Sequence, residues 1–402
     1  MSEEWPPLGA TQAVWCVSTP PIGKLALACV VKRSYRIAGG ALSLADDQAP
    51  LIVEPEVMVD ETEKYSWLAD DSDLIAEKRA TDIVVFGHAH APQRAKEILV
   101  AVAIGSAARR LRVLGERRVE VRADGTLHFS TTGAFESVAL IPQNGYGGAD
   151  LHAQNALETD TTGRRILDLP PELRPTEVTW LYEYPRNSVG AGFFIETPGS
   201  GGEDVGRRRA DGARLPQIED PSDTLSPERL FLRSPLAWMD APMPGSLGWV
   251  HHSWYPRLVR YVGHLLEHDE PERAVRESTF PDGDDLNDET PVHERRVHPR
   301  SLQGAAPGLA VERLRGDELV VLENLHREHT ELKFSLPGEA PVFRLRPAGL
   351  KVMTPRPVLQ TVRLEPDKDR VTLTWCGTVP LLARVDEEFV RDTELTVSWE
   401  KI

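Results

Sequence analysis

Val371-Thr372-Leu373-Thr374-Trp375 alternates apolar and hydroxyl side chains. On an extended chain, successive side chains point to opposite faces, so Val371, Leu373 and Trp375 share one face and the threonines the other. Leu395-Thr396-Val397-Ser398-Trp399 repeats the pattern. Val119-Glu120-Val121-Arg122, the turn Ala123-Asp124-Gly125 and Thr126-Leu127-His128-Phe129 read as a hairpin, with Gly where a positive φ is needed. Leu25 to Ile37 and Glu97 to Ile104 are apolar runs of the kind buried on both faces. Short strands separated by turn residues predict a mainly β fold of packed antiparallel, sandwich-like sheets with one or two short helices.

Helical spacing is rarer. Trp254, Leu258, Tyr261, Val262 and Leu265 recur at i, i+4, i+7, i+8 and i+11, an apolar stripe predicting a helix over 253–266. Ser253 suits its N-cap and Pro256 its first turn. A shorter helix is expected over Ser226 to Arg233.

At 402 residues the chain exceeds the usual size of one domain. Two segments look like linkers. Pro198 to Gly212 holds five glycines and the run Arg207-Arg208-Arg209, read as a solvated loop. Glu267 to Glu294 holds eleven acidic residues against Arg273 and Arg276, and its few apolar side chains cannot offset the entropy of ordering. The expected division is a β-rich domain over 1–197, a linker and helical connector over 198–300 with a disordered acidic stretch at 267–294, and a β-rich domain over 301–402.

A net charge of −16 speaks against nucleic acid or an anionic membrane as partner. No purely apolar run exceeds seven residues, the length of Leu25 to Val31, far short of a membrane span. The segment from Met1 to Pro7 carries no basic or apolar signal region. Cys16, Cys29 and Cys376 cannot all pair and read as reduced, inert thiols of a cytoplasmic protein.

The search for catalytic motifs returns no G-x-S-x-G elbow, no phosphate-binding P-loop and no dinucleotide fingerprint. His293 and His298 are spaced i, i+5, off a shared helix face. His88 and His90, at i and i+2, share one side of a strand and are the better metal candidates. They lack a third ligand nearby in sequence, and two half-exposed histidines at a strand end are the plainer reading. His326 and His329 read as a solvated turn. No metal, cofactor or catalytic residue is therefore expected.

Several elements recur in a familiar order. Asp73-Leu74-Ile75-Ala76-Glu77-Lys78-Arg79-Ala80-Thr81-Asp82-Ile83-Val84-Val85-Phe86-Gly87 comes first, followed by Val113-Leu114-Gly115-Glu116-Arg117. Asn187-Ser188-Val189-Gly190-Ala191-Gly192-Phe193 and Leu215-Pro216-Gln217-Ile218-Glu219-Asp220-Pro221 follow. Trp254-Tyr255-Pro256-Arg257, Leu314 to Leu325 and Phe334-Ser335-Leu336-Pro337-Gly338 complete the set. From about residue 25 to about 376 the chain resembles a bacterial family catalogued as a domain of unknown function and encoded beside type VI secretion effector genes. The resemblance implies a non-catalytic effector adaptor, or chaperone. Its partners would be a toxin effector or its PAAR-repeat tip protein, and possibly the spike protein.

Read for their physics, Asp73, Lys78 and Asp82 are expected to form a local ion-pair cluster ahead of the strand Ile83 to Phe86. Gly190 and Gly192 allow a turn or close approach, and Asn187 is expected to bond its own backbone there. Arg117 belongs to the same motif set, and Trp254 and Arg257 are of types enriched at interface hot spots. Two other readings compete: a metal-assisted hydrolase using His88 and His90, and a β-sandwich ligand-binding module.

Overall fold

The computed structural model describes residues 13–18, 26–59, 66–75, 78, 80–153, 182–197, 207–250, 303–381 and 385–402. The fold is mainly β, as the alternation predicts. The helix expected over 253–266, with Trp254 and Arg257, and the acidic stretch 267–294 fall outside the described residues.

Two sheets carry the fold. The larger has seven strands, in the order Ala13–Ser18, Ala26–Ala38, Arg370–Pro380, Val358–Glu365, Thr81–Val85 and Ala310–Val311, with Ala41–Leu44 paired to Ala26–Ala38. Its pairs are antiparallel except Val358–Glu365 against Thr81–Val85. The second sheet has five antiparallel strands, in the order Ile218–Glu219, Ala107–Leu114, Glu97–Ile104, Leu319–Glu323 and Glu331–Ser335.

The period-2 reading explains how they pack. Val371, Leu373 and Trp375 of the large sheet join Val100, Val102, Val320, Leu322 and Phe334 of the second in one hydrophobic core. Thr372 and Thr374 point to the opposite face and are also buried, the first bonded to the Ser34 hydroxyl (3.0 Å) and the second donating to Asp73 (3.0 Å). Leu395, Val397 and Trp399 pack against the same core. Ala26–Ala38 is buried on both faces, as expected, with Leu27, Cys29 and Val31 on the main core and Ala28 and Val30 against Leu51 and Cys376. Glu97–Ile104 departs from its expectation: only alternate residues are buried, and Leu99 is exposed, because the strand has a core on one side only.

A second, smaller core lies within 119–241. It gathers Val119, Tyr146, Tyr184, Phe193, Ile195, Leu215, Phe231 and Trp238 around the hairpin Val119–Phe129, whose turn holds Gly125 at φ +82°. The division expected at 197/198 and 300/301 therefore does not separate the packing units. Strands from both outer segments share each large sheet, and residues on either side of 197/198 share the small core.

Two local expectations also change. Ser226 to Arg233 forms only the single 3-10 turn Pro227–Arg229, since Phe231–Leu232 leaves it to pair with Phe194–Ile195. The Arg207-Arg208-Arg209 run is engaged with the protein: Arg207 bonds Glu196 (2.7 Å), Arg208 donates to the Ala123 carbonyl (2.8 Å), and Arg209 bonds Asp150 (2.5 Å). One short α-helix, Glu387–Asp392, is capped by the Asp386 side chain accepting from the Phe389 amide (2.9 Å).

Candidate functional site

The motif residues fall into three polar assemblies. The first is buried against the large sheet. The Asp82 carboxylate accepts from Lys78 Nζ (2.7 Å), Gln303 Nε2 (2.8 Å) and the backbone amides of Gly304 (3.0 Å) and Ala305 (3.3 Å). Both charged side chains are fully enclosed, at 0% and 2% exposure. The Lys78 ammonium also lies 5.2 Å from the centre of the Trp249 ring.

Asp73 does not complete this pair as expected. It bonds instead to Lys32, accepts from the Ile52 amide (2.7 Å) and from Thr374, and so ties the 50–53 segment to the sheet. Asp70, three residues before Asp73, accepts from Trp249 Nε1 (3.0 Å) and is paired with Arg363. Burial pushes the Asp70 carboxyl up despite the Arg363 charge. At Glu365, burial also pushes up, but Arg363 and Lys368 outweigh it and hold the carboxyl down.

The second assembly closes the edge of the five-stranded sheet. Arg117 donates to Glu219 (2.5 Å) and to the Pro216 carbonyl (3.0 Å), and Arg112 bridges Glu219 (3.4 Å) to Glu97 (2.7 Å). The third is a backbone crossing. Asn187 does not bond its own turn: its amide donates to the carbonyls of Pro142 (2.7 Å) and Tyr146 (3.1 Å), more than forty residues away. This fixes Tyr146–Gly147 in parallel pairing with Ala191–Gly192. A Cβ on Gly190 would sit 2.6 Å from the Asn187 amide nitrogen, so close approach is the role that glycine performs.

A shallow cleft runs from Trp249, beside Lys78, to Asn187, lined also by Trp67, Leu68, Gly245 and Ala306 among others. Arg117 lies outside this lining. Of the named motif residues only Asn187 is in the lining, so they hold separate parts of the fold together rather than converging on one point.

Sequence reasoning missed the partner of His88 and His90. Asp367 Oδ2 meets His88 Nδ1 at 2.8 Å, and Oδ1 meets His90 Nε2 at 2.7 Å. One carboxylate spans both rings, one oxygen to each, in a hydrogen-bonded clasp. Among the described residues no three His, Cys, Asp or Glu side chains are grouped as metal ligands. Gly87, at φ +141°, makes room: a Cβ there would lie 2.8 Å from Asp367 Oδ2. Nothing local to residues 88–90 signals a partner 277 residues away.

Burial pushes the Asp367 carboxyl up, but the hydrogen bonds from His88 and His90 outweigh it and hold the carboxyl below its ordinary value. A carboxyl lowered by folding contributes stability that is present above its unfolded value of ~3.9 and lost as pH falls through the folded value. Asp367→Asn is therefore expected to lower the melting temperature at neutral pH and to converge with the parent protein below the ordinary aspartate range. A difference that stays constant across that range would separate the clasp from the stability.

His326 also departs from the solvated reading. It is buried, its Nδ1 accepts from the amides of Glu328 (3.0 Å) and His329 (3.1 Å), and its Nε2 meets Asp369 (3.1 Å). It caps a turn; only His329 is exposed. The cysteines are free, and burial pushes Cys16 up to about 11 and Cys29 to about 12, far from thiolate chemistry. No helix among the described residues is long and apolar enough to cross a membrane.

One comparison bears on identity. The family model described as "Uncharacterized protein conserved in bacteria (DUF2169)" matches residues 23–376. The chain belongs to this family. No curated protein and no solved structure matches it. The matched span runs from the strand Ala26–Ala38 to Cys376 in Arg370–Pro380, so it takes in the five-stranded sheet, the small core and the large sheet apart from Ala13–Ser18 and the end of Arg370–Pro380.

Proposed function

We propose that this protein is a cytoplasmic, non-catalytic adaptor of bacterial type VI secretion, which binds a toxin effector or its PAAR-repeat tip protein for loading onto the spike. The observation that carries the reading is an exposed apolar strand. Val57, Met58 and Val59 are 48–55% exposed on Glu56–Val59, with Val53 exposed beside them. Consecutive exposed apolar residues mark an interaction surface more often than a catalytic one. The motif's charged side chains support it from the other direction. Asp73, Lys78, Asp82 and Arg117 are each engaged by partners inside the fold, where they hold shape.

The deciding experiment is co-expression with a toxin and a PAAR-repeat protein from the same genome. A stable complex that survives size-exclusion chromatography is expected. No complex with either protein would remove the adaptor reading. His88→Ala is expected to leave that complex intact, because the His88 ring bonds Asp367 at a half-exposed strand end. Loss of the complex together with loss of bound zinc or iron would instead favour a metal-assisted hydrolase.

A further inference from the structure

The exposed strand is also an open edge. Glu56–Val59 pairs on one side with Ser66–Asp70, in the register Val57 to Leu68, Met58 to Trp67 and Val59 to Ser66. On the other side it has no strand among the described residues. In an antiparallel pair, the outer strand's alternate N–H and C=O groups point away from its neighbour. The inner strand is well anchored: Leu68 is in the main core, and Asp70 is held by Trp249 and Arg363. The outer strand therefore offers a preset backbone template.

Its side chains fit a two-faced strand. Directly opposed residues share a face, so Val57 and Val59 lie on the Leu68 face and Met58 on the Trp67 face, and all three remain about half exposed. Half-exposed apolar residues on both faces offer cross-strand contacts to the side chains of an added strand. Two exposed carboxylates, Glu54 and Glu56, stand just before the strand and at its first residue. A second copy of this chain would bring glutamate against glutamate, so the charge favours an unlike partner.

We propose that Glu56–Val59 is the docking edge for an extended segment of a partner protein, a strand of alternating apolar residues flanked by Lys or Arg. Backbone hydrogen bonds supply the pairing, the valines and Met58 take the apolar side chains, and Glu54 and Glu56 select the basic flank. This rests on the reading of the chain as a partner-binding protein and names the chemistry of the partner's segment.

The test uses the full chain and a synthetic peptide, KKVTVTVKK. The controls are the same peptide interrupted by two prolines and a version with glutamate ends. By fluorescence anisotropy the basic strand is expected to bind at least tenfold tighter than either control. Hydrogen exchange on the parent protein is expected to slow at 56–59. The double variant Val57→Asp with Val59→Asp is expected to lose at least tenfold in binding although it adds two negative charges, which is opposite to what charge attraction alone would give. Equal binding of the proline control, protection elsewhere, or an unaffected double variant would overturn the proposal. Self-association abolished by the double variant would reassign the edge to a second copy and overturn it too. Should the double variant fold poorly, the exchange experiment on the parent protein decides. Retained cargo co-purification in a folded double variant would remove the edge while leaving the adaptor reading. Peptide binding without any cargo complex would do the reverse.

Discussion

Asp82→Ala is expected to destabilise the protein by about 3–5 kcal/mol, the cost of leaving a buried charge without its partner. Lys78 Nζ has the Asp82 carboxylate as its closest acceptor, at 2.7 Å, and otherwise reaches Thr361 Oγ1 only at 3.4 Å. The loss extends further, because the same carboxylate accepts from Gln303 and from the amides of Gly304 and Ala305. Those three donors belong to a segment 221–223 residues away, so Asp82 ties the strand Thr81–Val85 to the chain leading into Ala310–Val311. Lys78→Met should cost less, since Asp82 then keeps three N–H donors. The double variant should be more stable than Asp82→Ala alone, because an apolar side chain replaces the stranded ammonium. Urea midpoints at constant slope would measure all three. A value for Asp82→Ala within about 1 kcal/mol of the parent, the scale of a surface pair, would show that the assembly is not an anchor.

What the sequence reveals here is set by distance along the chain. Period-2 alternation is local, so the strands at 371–375 and 395–399 and the 119–129 hairpin were legible without any partner. The two-faced burial of Ala26–Ala38 was legible for the same reason. Which charge meets which was not. Asp73 lies five residues from Lys78, yet it pairs with Lys32 across the sheet, because strand neighbours rather than sequence neighbours share a face. The clasp of His88 and His90 needed Asp367, and the Asn187 amide needed carbonyls near residue 144; neither spacing leaves a trace in one sequence. The linker reading of Arg207 to Arg209 failed similarly. A run of like charge looks solvated until each member's acceptor, on three different segments, is in view. The exposed strand at 56–59 was missed because Glu-Val-Met-Val reads as an ordinary half-buried strand; its exposure is a property of the sheet edge, not of its composition.

Gly147→Ala is expected to be comparably damaging, at about 2–5 kcal/mol from backbone strain and overlap together. Gly147 sits at φ +149°, a region closed to residues with a Cβ. An added Cβ would overlap the Asn187 carbonyl oxygen and come within 2.9 Å of the Asn187 Cβ. That oxygen is not free to retreat, since it accepts from the Gly148 amide at 2.9 Å. Nor is the Asn187 side chain, which is 3% exposed and tied to Pro142 and Tyr146. The crossing of 146–147 with 191–192 would have to open, and Tyr146 and Phe193 of the small core flank it directly. Asn187→Ala makes the comparison sharper. It keeps the backbone path but takes the side-chain donor from the Tyr146 carbonyl, while the Pro142 carbonyl keeps the Gly145 amide (3.0 Å), so about 1–3 kcal/mol is expected. The large core has its own residues, so the loss in both variants should appear first as faster hydrogen exchange around 146–147 and 191–195, ahead of the strands at 26–38 and 370–380. Gly147→Ala melting like the parent protein would mean that the crossing yields without cost and that Asn187 does not lock it.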